Sequence, residues 1–131
     1  MKEVYKQIED VEKERKKSAI NSIIQRINSN NLFAKAIVDG INDGKKGYPS
    51  TLFDSAPSSP GSIGLFLDNI VRTYDSIRFD FQKNTDVKPE DFDRLFPKIS
   101  LNSSTFNTIS NSLVCLIIQM FDMKTYCSRL L

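Results

Sequence analysis

The sequence predicts an all-α fold, a single-domain helical bundle of three long helices and two short ones. Three observations carry that prediction. Residues 62–83 and 106–130 repeat apolar side chains at alternating steps of three and four, the period of one helix face. No segment alternates apolar and polar residues as a half-buried strand does. The chain has 131 residues, enough for one core and not for two, so residues 1–131 are expected to form one domain.

The first long helix is expected to be uneven. Val4, Ile8 and Val11 make a short apolar stripe, and residues 12–18 hold no apolar side chain. Ile20, Ile23, Ile24 and Ile27 make a second stripe, rotated around the helix from the first. One straight helix cannot bury both against the same neighbour. Residues 1–17 therefore read as a charged arm or a helix extension. Residues 32–42 read as a separate short helix with Phe33, Ile37 and Ile41 on one face, capped by Asn30 or Asn31 and stopped near Gly44. Residues 44–61 carry Pro49, Pro57 and Pro60 with several serines, and read as a long loop, functional or merely mobile.

In residues 62–83 the stripe is Ile63, Leu67, Ile70, Tyr74, Ile77 and Phe81. Asp68, Arg72, Asp75 and Arg78 stand on the outer side at spacings that allow pairing. Residues 89–96 form a second short helix. Pro89 suits its first turn, its acids suit the positive helix end, and Phe92, Leu95 and Phe96 share a face that Pro97 terminates. The last long helix follows Asn102-Ser103-Ser104, which supply N-cap residues. Phe106, Ile109, Leu113, Leu116, Met120, Met123, Cys127 and Leu130 form its stripe, and Val114, Ile117 and Phe121 a second one beside it. A helix apolar on so much of its circumference is either the centre of a bundle or half of an oligomer interface.

Composition narrows the functions. Histidine is absent, which removes His-based triads, His metal sites and the commonest general base. A net charge of +2 does not mark a strongly basic nucleic-acid binder. No apolar run approaches the roughly 18 residues needed to span a bilayer, and the N-terminal residues do not resemble a secretory signal, so a cytosolic protein without membrane contact is expected. Cys115 and Cys127 lie on one expected helix about 18 Å apart, too far for a disulfide, and read as reduced, buried, inert thiols. Twelve lysines against six arginines fit A+T-rich coding, as in a virus or mobile element.

Motifs of chemistry are few. Gly40 to Lys46 has one residue too few between its glycines for a phosphate loop and no Ser or Thr after the lysine, so it reads as a helix end with solvated lysines. The carboxylates Asp68 and Asp75 have arginine partners at helical spacing. Asp86, Glu90, Asp91 and Asp93 gather at a helix N-terminus and match no calcium loop. Neither group reads as an acid–base pair. No enzyme activity, no cofactor and no metal is expected.

The expected function is that of a small protein-interaction or assembly protein, an adaptor, inhibitor or structural subunit acting through helical surfaces, with homo-oligomerisation included. The expected partner-binding residues are Val4, Ile8 and Val11, whose detached stripe needs a neighbour. The alternative is a nucleic-acid-binding subunit of a larger complex, using Lys13, Arg15, Lys16 and Lys17 with Lys45 and Lys46. Against it, Glu9, Asp10, Glu12 and Glu14 interleave with the first cluster, and no aromatic lies within it to stack on bases.

Overall fold

The computed structural model describes residues 2–42, 64–101 and 105–131. Within them every regular element is an α-helix: α1 (Lys2–Asn42), α2 (Gly64–Asn84), α3 (Pro89–Leu95) and α4 (Phe106–Leu130). The expected all-α architecture is present, but with four helices in the described residues. The separate helix over residues 32–42 does not exist. It is the last part of α1, a continuous helix of 41 residues, about 60 Å long.

The reason lies in two asparagines. Asn30 and Asn31 read as caps, but their amides turn outward to neighbouring helices. Asn30 Nδ2 donates to the Ile70 carbonyl of α2 at 3.3 Å, and Asn31 Nδ2 donates to the Ile117 carbonyl of α4 at 3.3 Å. Side chains that would compete with the α1 backbone are thereby engaged elsewhere. The core face then runs unbroken through Ile20, Ile23, Ile27, Ala34, Ile37 and Val38, and Gly40 is buried inside the helix.

α1 is the axis of the body. α2 packs antiparallel to it, since Arg26 meets Asp80, Asn30 meets Ile70 and Phe33 meets Phe66. α4 packs on another side of α1, also antiparallel: Asn31 lies at Ile117, and Ile20 lies near Leu130. α2 and α4 are thus parallel, and α3 with the segment after it returns the chain along α2. Phe81 stacks on Phe92 at 5.9 Å and meets Phe96 and Tyr126 edge-on at 5.2 and 5.4 Å, tying α2, α3 and α4 into one aromatic cluster. Tyr74 Oη donates to the Pro97 carbonyl at 3.0 Å. Arg78, expected on the outer side of α2, is instead buried, because it donates from Nε to the Phe96 carbonyl at 2.8 Å where the chain returns along α2.

The stripes of α2 and α4 are buried as their spacing requires. Leu67, Ile70, Tyr74, Ile77 and Phe81 on α2, and Ile109, Leu113, Leu116, Met120, Met123 and Cys127 on α4, belong to one core. Several expectations need correction. Leu130 is exposed, because α4 ends there beyond the core. Leu95 points to solvent while Phe92 and Phe96 are buried, since a helix of two turns presents only one narrow face to α2. Thr105 is the N-cap of α4, accepting from the Thr108 N–H at 3.2 Å. The expected caps at residues 102–104, the loop over residues 44–61 and Ile63 lie outside the described residues. Among the described residues no helix is long and apolar enough to cross a membrane.

Candidate functional site

The first seventeen described residues of α1, 2–18, are all exposed. The arm is therefore an exposed helix extension whose Lys13, Lys16 and Lys17 still border the ends of α2 and α4, at Asn84 and Leu130, and whose first residues run beyond them. Its sequence suits that role. Glu, Lys, Arg and Gln are good helix formers, no Gly or Pro occurs before Gly40, and Glu3 stands in the first turn. Arg15 and Glu12 pair at 2.8 Å along the helix. Val4, Ile8 and Val11 are 57%, 56% and 65% exposed, and Tyr5 beside them is 64% exposed. The three expected partner-binding residues thus lie together on a free helical surface. The aromatic Tyr5, which widens that surface, was legible only as a helical neighbour of Ile8.

The basic residues of the alternative reading are divided. Lys13, Lys16 and Lys17 line a hollow of about 320 Å³ with Asn84, Thr85, Asp86 and Leu130. They face the C-terminal end of α4, where unpaired carbonyls carry partial negative charge, and they share the hollow with the Asp86 carboxylate. Arg15 points elsewhere and is held by Glu12. Lys45 and Lys46 lie outside the described residues.

A larger groove of about 650 Å³ opens between α1 and α2. Ser22, Gln25, Arg26, Ser29, Asn30 and Phe33 form one wall, and Asn69, Ile70 and Thr73 the other. Arg26, on its wall, pairs with Asp80 of α2 at 2.6 Å. Short hydroxyl and amide side chains leave this space between two helices whose apolar faces meet below it. Periodicity could not have found it, because its lining is polar and carries no apolar repeat.

A second exposed apolar surface belongs to α4. Val114, Ile118 and Phe121 are exposed and Ile117 is half-buried, so the stripe beside the core stripe is left open to solvent. Cys115 is exposed too, which corrects the expectation of two buried thiols, while Cys127 is buried and its thiol is pushed up to about 11 by burial. Among the carboxylates of residues 68–93, Asp75, Asp80, Asp91 and Asp93 pair with arginines. Asp75 and Asp93 approach Arg78 at 3.9 and 3.4 Å, and Asp91 pairs with Arg94 at 3.5 Å.

Comparison with protein-family models finds no match. Comparisons with curated proteins and with solved structures likewise find none.

Proposed function

We propose that this chain is a small, non-enzymatic interaction or assembly protein whose N-terminal arm docks on another polypeptide. One observation carries the reading: a 17-residue exposed stretch of α1, bordered by the body only near Lys13, Lys16 and Lys17, presents Val4, Ile8 and Val11 together on an exposed face. Isolated helices of that length are marginal in water, so the body nucleates the arm and holds it extended. Each of the three side chains, buried fully, contributes about 1.5–3 kcal/mol. Docking even two of them supports an affinity that the charged faces of the arm alone do not supply. The open stripe on α4 offers the same chemistry on the body and extends the surface available for assembly. The protein is expected to work in the cytosol.

A photo-crosslinking residue at Ile8 tests the proposal in the native cell. Covalent attachment to a polypeptide, another protein or a second copy, lost when Val4 and Val11 are changed to Ser, is the expected result. Failure to attach to any polypeptide while circular dichroism shows the helical fold intact would refute it.

A further inference from the structure

α4 carries a second seam on the side away from the core. Asn107, Asn111, Val114, Ile118, Phe121 and Thr125 step by four, three, four, three and four. At about 100° per residue they stay within a fan of about 80°, about 160° around the helix from the core stripe. The first five are exposed and Thr125 is half-buried. Residues 106–121 hold no charged side chain, in a chain that is 26% charged. The arm is the contrast, since residues 2–18 hold eleven charged side chains among seventeen. A surface in water ordinarily carries charge on about a quarter to a third of its positions. Charge is depleted where a surface is buried against a partner.

We infer that α4 pairs with α4 of a second copy of this chain, antiparallel about a two-fold axis. The pairing goes beyond the docking arm and does not depend on it. In an antiparallel pair each position of the seam meets the counterpart counted from its other end. Val114 of one copy then meets Ile118 of the other, Asn111 meets Phe121 and Asn107 meets Thr125. The axis passes beside residue 116. Because the seam faces away from the core, the two bodies lie on opposite sides of the helix pair and do not collide.

Two features favour a second copy over another partner. The first is chemistry. An uncharged face needs an uncharged counterpart, because a charge buried without a partner is costly. In this chain α4 supplies such a face and the arm does not. The second is charge at the ends. The first turn of α4 holds no acidic residue, and its N–H groups carry partial positive charge. In this register Asp122 of each copy lies beside that turn of the other, next to Thr108, and Arg129 falls past its start. Sliding the pair by one heptad, so that Ile118 meets Phe121, sets Asp122 against the uncharged middle of the other helix. The same helix thus offers the acid at one end and the site for it at the other. Area sets the strength. The seam is about 27 Å long and about 10 Å across, small against the roughly 800 Å² that each partner buries in a stable interface. The core face of α4 is already covered within one copy, so the dimer dissociates on dilution into folded monomers.

The test combines mass with crosslinking. The sedimenting mass of the full chain should rise with concentration from 14.9 kDa toward twice that value, within the range up to about 200 µM expected of a small interface. Ile118→Glu, at an exposed position, should weaken dimerisation at least tenfold with the circular dichroism unchanged. Asp122→Lys should weaken it several-fold, and V4S/I8S/V11S should leave it as it is. In a Cys115→Ser background, N107C/T125C should form a covalent dimer with a short bismaleimide, and N107C alone should not. Within one copy these positions lie about 27 Å apart along α4, and Cys127 is buried and does not compete. A chain that sediments as a monomer throughout that range overturns the inference. So does a dimer that survives Ile118→Glu, or one lost in V4S/I8S/V11S, which would give the contact to the arm. N107C crosslinking as well as N107C/T125C would mean parallel helices and overturns it too. None of these outcomes removes the docking arm, which stands or falls on attachment at Ile8.

Discussion

Replacing Arg78 with Met should cost about 2–4 kcal/mol of stability. The guanidinium sits 4.8 Å from the Phe92 ring centroid and 5.8 Å from that of Tyr74, and its Nε holds the Phe96 carbonyl at 2.8 Å. A hydrogen bond from a charged donor contributes about 1.5–3 kcal/mol, and a desolvated cation–π contact up to about 2 kcal/mol. The ion pairs add little. The side chains of Asp93 and Asp75 are 79% and 50% exposed, and pairs with exposed carboxylates are worth about 0–1 kcal/mol. Removing the buried charge returns part of its desolvation cost, which lowers the net figure. Met keeps the stem's packing against α3, so the measured loss isolates the head group. Urea denaturation followed by circular dichroism gives the value directly, and a melting temperature lower by roughly 10 °C should accompany it. Asp93→Asn in the same assay should lose less than about 1 kcal/mol. A loss under about 0.5 kcal/mol for Arg78→Met would refute the reasoning. So would an Asp93→Asn loss equal to it, because the clamp would then be the ion pair and not the carbonyl and ring.

Further expectations come from the core and its ionisable groups. Leu113→Ala or Leu116→Ala should each cost about 2–5 kcal/mol in the same denaturation assay, since both side chains are completely buried. V4S/I8S/V11S should leave the unfolding free energy of the monomer unchanged within about 0.5 kcal/mol, because those side chains touch solvent and not the core. At pH 8 one thiol, the exposed Cys115, should alkylate rapidly, while Cys127, pushed up to about 11, should react only on unfolding. Mass spectrometry of the peptides separates the two. Burial pushes Tyr74 up to about 12 from an ordinary 10.0, with Arg78 pulling the other way and Asp75 adding to the rise. The unfolded chain then loses protons at lower pH than the folded one. Stability should hold below about pH 9 and fall as pH rises toward 12, through Cys127 first and Tyr74 second. A melting temperature flat to pH 12 would contradict both shifts.

The amino-acid sequence by itself determined most of the core of α2 and α4, Leu130 apart, because a helix in contact with a neighbour must place apolar side chains every three or four positions. It also determined that Val4, Ile8 and Val11 stand apart from the stripe that begins at Ile20, since the two point in different directions around one helix. Three matters were decided only by the tertiary structure. Asn30 and Asn31 have the composition of a helix boundary, and whether they cap α1 or bind the carbonyls of Ile70 and Ile117 depends on neighbours that lie 40 and 86 residues away. Leu95 lies within half a turn of Phe92 and Phe96, yet it is exposed because α3 meets α2 along a single narrow face. Cys115, by contrast, stands about 120° around α4 from its core stripe, so its exposure was legible in the spacing. The groove between α1 and α2 has no sequence signal, being the space left where short polar side chains face one another across two packed helices. Local periodicity reports which side of a helix is buried. What stands opposite that side, and what remains open beside it, is set by how the helices come together.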